Sequence, residues 1–102
     1  MVIAMNRVPV NAGHEEGFME RFRTRRGLVD GQSGFIRNMV LRPLKGEFHV
    51  VMSFWESREA FDAWTRSDAF QQAHARVPPP GMFKGHGELE IYEVGLDTAA
   101  KE

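Results

Sequence analysis

Apolar and polar positions alternate through the first ten residues, and Ile3, Val8 and Val10 mark a strand over Val2–Val10. Val2, Ala4, Asn6 and Val8 fall on one face of it. Asn6 is thus an amide set among apolar neighbours, and a buried amide needs hydrogen-bond partners or costs free energy. After a turn at Asn11-Ala12-Gly13, the pattern predicts a helix from about His14 to Arg26. Glu15 and Glu16 sit in its first turn and Arg21, Arg23, Arg25 and Arg26 near its end. That order suits the helix dipole, and Gly27 is the expected stop. Phe18, Phe22 and Arg25 lie on one line of this helix, with Met19 beside them.

Beyond the loop Asp30-Gly31-Gln32-Ser33-Gly34, strands over Phe35–Arg42 and Glu47–Trp55 flank the turn residues Pro43-Leu44-Lys45-Gly46 and predict a hairpin. Phe48, Val50, Met52 and Phe54 form one row, and Val51 and Trp55 lie on the other with His49 and Ser53. Phe35, Met39 and Leu41 oppose Ile36 and Val40 in the same way. An antiparallel sheet with one solvated face does not carry apolar residues on both sides. Helices cover one face, so something else must cover the other.

The stretch Ser57–Val77, SREAFDAWTRSDAFQQAHARV, organises the rest. Ala60, Phe61 and Trp64 share one helical face; Phe70, Ala73, His74 and Val77 follow the i, i+3, i+4, i+7 rule, which points His74 inward. On one straight helix Trp64 and His74 would stand apart in azimuth. A break near Thr65–Asp68, with Ser67 as N-cap and Asp68 in the next first turn, lets both look into one cavity. Arg76–Gly87, with three prolines and three glycines, excludes regular structure, and a loop of that length in a small domain is usually functional or mobile. Glu88–Val94 is the last strand. The order β-α-β-β-α-β is the split-βαβ, ferredoxin-like pattern of an α+β fold with an antiparallel sheet. Residues 1–96 form a single domain, and 97–102 a polar C-terminal tail. The uncovered sheet face is best buried against a second copy, giving a homodimer with a dimeric α+β barrel.

Composition removes several alternatives. A net charge of −1 over 102 residues argues against a nucleic-acid or anionic-membrane partner. No apolar run approaches the ~18–20 residues of a membrane span, and the N-terminus lacks the layout of a signal peptide. With no cysteine, disulfides and thiolate catalysis are excluded. A soluble, cytoplasmic protein is expected. No Ser-His-Asp set, paired carboxylates, phosphate loop or HExxH is present.

The block GFIRNMVLRPLKGE…FWESREAFDAWTRSDAFQQAHA, with Asn6 on the first strand, resembles the antibiotic-biosynthesis-monooxygenase-like domains. More narrowly, it resembles the haem-degrading monooxygenases of the staphylococcal and mycobacterial type. The likeness runs from Ile3 to about Leu96; the frame LRP-KGE…WES-EAF-AW belongs to the wider superfamily, and the trio Asn6, Trp64 and His74 is the sharper signal. The Pro78-Pro79-Pro80-Gly81 segment departs from the family's loops and leaves its closure over a ligand open.

The resemblance implies that haem is both substrate and cofactor, and that an external electron donor is required. His74 would be the proximal iron ligand, Trp64 would press on the macrocycle and buckle it, and Asn6 would donate its NH2 to the reacting oxygen. Phe22 would contact the ring, and Arg25, one turn on, a propionate. Each residue also has a plainer reading. His74 could be a core histidine bonded to a carbonyl, Trp64 a core aromatic, Asn6 a satisfied structural amide and Arg25 a solvated helix end. His14, His49 and His86 are weaker ligand candidates. Two other functions stay open: haem binding or transfer without degradation, and cofactor-free oxidation of an aromatic substrate. His74 speaks against the second of these.

Overall fold

The computed structural model describes residues 1–25, 28–75 and 77–99, with Arg25 by its backbone alone. Strands β1 (Val2–Val8), β2 (Phe35–Leu41), β3 (His49–Trp55) and β4 (Glu88–Glu93) form one antiparallel sheet in the order β2-β3-β1-β4. Helix α1 (Glu15–Arg25) follows β1; α2 (Arg58–Thr65) and α3 (Asp68–His74) follow β3. This is the expected ferredoxin-like α+β topology, its second helical element broken in two. The stop expected at Gly27 lies outside the described residues. Among those described, no helix is long and apolar enough to cross a membrane.

Register decides which residues the helices cover. Val2, Ala4, Asn6 and Val8 pair with Trp55, Ser53, Val51 and His49 of β3, so these eight share the helix-covered face. One expectation fails in β2. A bulge between Phe35 and Arg37 reverses the alternation, so Phe35 pairs with Trp55 and meets its ring edge-on at 5.3 Å, while Met39 pairs with Met52 on the other side. An extra residue in one strand of a pair flips every later side chain, and simple alternation cannot foresee it.

The core is in two parts. Ala4, Val29, Trp55, Phe61, Trp64 and Ala73 gather beneath α2 and α3. Val8, Val10, Phe18 and Met82 gather beneath α1. Gly34 lets the β2 entry close on α2: its φ is +82°, and a Cβ there would lie 2.5 Å from that of Ala60. The proline-rich segment has no helix or regular strand, as expected, but it is held down. Asn11 N donates to Met82 O and Asn11 Nδ2 to Gly81 O, at 2.8 and 2.7 Å, and Lys84 N donates to Pro9 O at 2.8 Å. Met82 is 2% exposed and locks the segment to the core.

The opposite sheet face carries Ile3, Met5, Val50 and Met52, half-buried, with Met39, Leu41 and Tyr92 exposed. It is not wholly apolar. Arg7 lies over the Phe48 ring at 4.6 Å and Arg37 over that of Phe54 at 4.7 Å.

Candidate functional site

The two helical pieces meet at Ser67. Ser57 caps α2, its Oγ accepting from Ala60 N at 3.2 Å. Ser67 caps α3, accepting from Phe70 N at 3.1 Å, and the same hydroxyl donates to Trp64 O at 2.7 Å. The Ser67 side chain therefore links the end of α2 to the start of α3, as the Ser67-Asp68 pair predicts, and its own N–H bonds the same Trp64 carbonyl at 3.0 Å. Trp64 is 7% exposed. Its indole stacks on Trp55 at 6.4 Å and takes the edge of Phe70 at 5.5 Å, so the ring has little freedom.

His74 departs from expectation. It closes α3 but is exposed rather than buried with Ala73, and Val77 is 83% exposed. The helix ends at His74, and Pro78 disfavours a helical Val77, so the four-residue pattern outruns the helix that would bury it. The ring instead folds back on Phe70, centroids 4.0 Å apart and planes at 29°. His74 Nδ1 donates to Phe70 O at 2.8 Å. A carbonyl oxygen only accepts, so in the neutral ring the proton sits on Nδ1 and Nε2 carries the lone pair. Nε2 makes no hydrogen bond among the described residues. A backbone-oriented imidazole with a bare Nε2 is the usual preparation of a metal-ligating histidine.

Asn6, Phe22, Trp64 and His74 all line one cleft of about 1140 Å3 on the helix-covered face, reaching across both halves of the core. That is somewhat larger than the usual small-molecule site of about 300–1,000 Å3. The side chain of Arg25 lies outside the described residues. Asn6 is half-buried, and its amide makes no hydrogen bond among the described residues. The i, i+4 spacing puts Phe70 on the face of His74 but does not name it as a cleft residue, and the structure stacks the two rings and lines the cleft with both. Sequence reasoning missed Gly87, which borders the cleft against Asn6: a Cβ there would lie 2.6 Å from Asn6 Oδ1. No local pattern marks such a contact, because it joins segments far apart in the chain.

The other histidines differ. His86 lines the cleft from the loop before β4. His49 is 3% exposed, edge-on to Phe18 at 5.2 Å, and neither ring nitrogen has a partner among the described residues. Burial pushes its pKa below the usual value, with nearby Arg42 adding to the shift and Glu15 opposing it.

The chain folds as a ferredoxin-like α+β domain with a roomy cleft beneath its helices, bordered by an oriented imidazole. The chain belongs to the antibiotic biosynthesis monooxygenase family, whose sequence pattern matches residues 1–76. It is 38% identical over 98 residues to the mycobilin-producing heme oxygenase of Mycobacterium tuberculosis, covering 95% of this chain and 91% of that protein. It is 36% identical over 77 residues to the staphylobilin-producing heme oxygenase of Staphylococcus haemolyticus, covering 72% and 73%. Among solved structures, the heme-degrader of Mycobacterium tuberculosis with two hemes bound in its active site superposes with a TM-score of 0.81, at 34% identity over 95% of this chain and 98% of the other.

Proposed function

We propose that this protein is a haem-degrading monooxygenase that binds haem in the Trp64–His74 cleft, opens the porphyrin with dioxygen and an external reductant, and releases iron. The observation that carries the reading is the Nδ1–Phe70 hydrogen bond, which leaves His74 Nε2 as a ready lone pair beside a cleft large enough for a porphyrin. Bound haem would supply the iron at which dioxygen is activated. This chain's residues hold and shape the substrate. His74 is the ligand, and its imidazole orientation is set by the helix backbone. Trp64, braced by Trp55 and Phe70, presses a rigid plane on the macrocycle. Phe22 offers apolar contact, Arg25 a charge for a propionate, and the Asn6 NH2 a donor where negative charge develops on oxygen. The two heme oxygenases named above support the substrate class.

Opening the porphyrin with dioxygen consumes electrons, which an external reductant supplies, and the cytoplasm, where such donors are kept reduced, is the proposed setting. The open face around Met5, Val50 and Met52 pairs with a second copy, completing a barrel from residues 1–96 of each chain; a sedimentation mass near that of one 11.6 kDa chain at micromolar concentration sinks this part.

The test is a haemin titration followed by ascorbate under air, with catalase present to remove free peroxide. Wild-type protein should develop a sharpened Soret band that then decays, and His74→Ala should lose the band. Haem held unchanged for hours with several donors would replace the oxygenase by a haem-binding or transfer protein.

A further inference from the structure

The amide of Asn6 stands in the cleft without a hydrogen bond among the described residues, so hydrogen bonding does not fix its orientation. Packing does. A Cβ built on Gly87 would sit 2.6 Å from Asn6 Oδ1, 3.2 Å from Nδ2 and 3.3 Å from Cγ, distances at which one of the two must move. The space that a side chain at residue 87 would take is thus filled by the amide, its oxygen nearer that point than its nitrogen. Gly87 is not among the glycines with positive φ. A glycine is therefore required here by closeness to Asn6 and not by backbone conformation. We infer that Gly87 is a positioning residue, whose missing side chain sets the direction in which the Asn6 NH2 points into the cleft. This rests on the role given to Asn6 in the oxygenase reading.

The geometry separates this role from a merely structural one. In Gly87→Ala the new methyl meets the tip of a short, otherwise unbonded side chain, so Asn6 rotates and the fold is kept. Glycine replaced by alanine at an unstrained site even stabilises slightly, by restricting the unfolded chain. The variant should therefore melt at or slightly above the wild-type temperature while its active-site amide is misplaced.

Two measurements decide it. In the haem-free protein, the Asn6 side-chain NH2 resonances, assigned by their loss in Asn6→Ala, should shift in Gly87→Ala. In the haem-loaded protein, the Soret band should form as in wild type, but its decay with ascorbate and air should slow about ten- to a hundredfold, the scale of a misplaced catalytic group. Adding Gly87→Ala to Asn6→Ala should slow decay no further. Unmoved NH2 resonances overturn the inference, as does a Gly87→Ala loss that adds in full to that of Asn6→Ala. If wild-type protein fails to degrade haem, the oxygenase reading falls, and the haem-free resonances still decide whether Gly87 directs Asn6.

Discussion

Ser67 and Trp64 are joined by a 2.7 Å hydrogen bond from the serine hydroxyl to the tryptophan carbonyl, and through that bond the break between α2 and α3 becomes a fixed corner. The hydroxyl's second bond, from Phe70 N at 3.1 Å, anchors the helix that ends in His74. The Ser67 hydroxyl thus shares the corner with two backbone bonds, Ser67 N to Trp64 O at 3.0 Å and Arg66 N to Ala63 O at 3.3 Å, and it alone also reaches the first turn of α3.

Ser67→Ala removes both bonds. Loss of an N-cap costs about 1 kcal/mol, and a second lost bond a similar amount. In a domain of this size, each about 1 kcal/mol lowers the midpoint of thermal unfolding by about 4–8 °C. Haemin affinity should fall as well, because Trp64 and His74 lose their common reference, and Ser67→Thr, which keeps the hydroxyl, should recover most of both. Calorimetry and a haemin titration on the three proteins check this. A Ser67→Ala protein that melts and binds like wild type contradicts it.

His49 predicts a pH dependence. Its imidazole is buried with neither nitrogen bonded among the described residues, and burial holds its folded pKa below the unfolded value of 6.5. Below pH 6.5 the unfolded chain therefore binds more protons than the folded one, and stability rises with pH over that range. The stabilisation is full above pH 6.5 and is lost progressively as pH falls through the folded value. One proton gives at most about 1.4 kcal/mol per pH unit. Glu15, in the first turn of α1, eases the shift, and Arg42 deepens it. Urea unfolding between pH 7.5 and 5 should show this slope in wild type and a flatter one in His49→Phe, whose ring keeps the packing against Phe18. Equal slopes in the two proteins would refute the assignment.

The element order, the break at Ser67 and three members of the cleft were legible in the sequence, because each depends on local chemistry: alternation, a cap, a helical face. What was not legible depends on residues distant in the chain. The bulge at Ile36 leaves the strand pattern intact and shows itself only in the pairing with Phe54 and Trp55. Gly87 reads as one of several loop glycines until the loop before β4 is laid against β1. His74 is an intermediate case. Its spacing from Phe70 predicted a shared face, yet Pro78 was already a signal that the helix would not reach Val77, and the exposed, back-folded ring follows from that stop.

Asn6 and Trp64 should matter for turnover more than for binding. On the proposed reading, coordination by His74 and burial of the porphyrin would supply most of the affinity, and neither of these two residues would be the ligand. A donor such as the Asn6 NH2 gains strength only where negative charge builds on oxygen during the reaction, so it lowers the barrier without tightening resting haem. Asn6→Ala should therefore keep the Soret band and lose about a hundredfold or more in its decay. On the same reading Trp64 would act by shape: distortion imposed on the macrocycle would oppose binding and favour reaction. Its truncation to alanine would cost about 3–5 kcal/mol, because the ring is 7% exposed and packed on Trp55 and Phe70, and that is a large share of a small domain's stability. Trp64→Phe keeps an aromatic core and removes only the reach of the indole. It should bind haemin as tightly as wild type or tighter, and degrade it more slowly. Both variants are followed by Soret decay with ascorbate, air and catalase, alongside a haemin titration. Degradation at the wild-type rate in both would remove Asn6 and Trp64 from the mechanism and leave His74 as the one residue of the trio with a role.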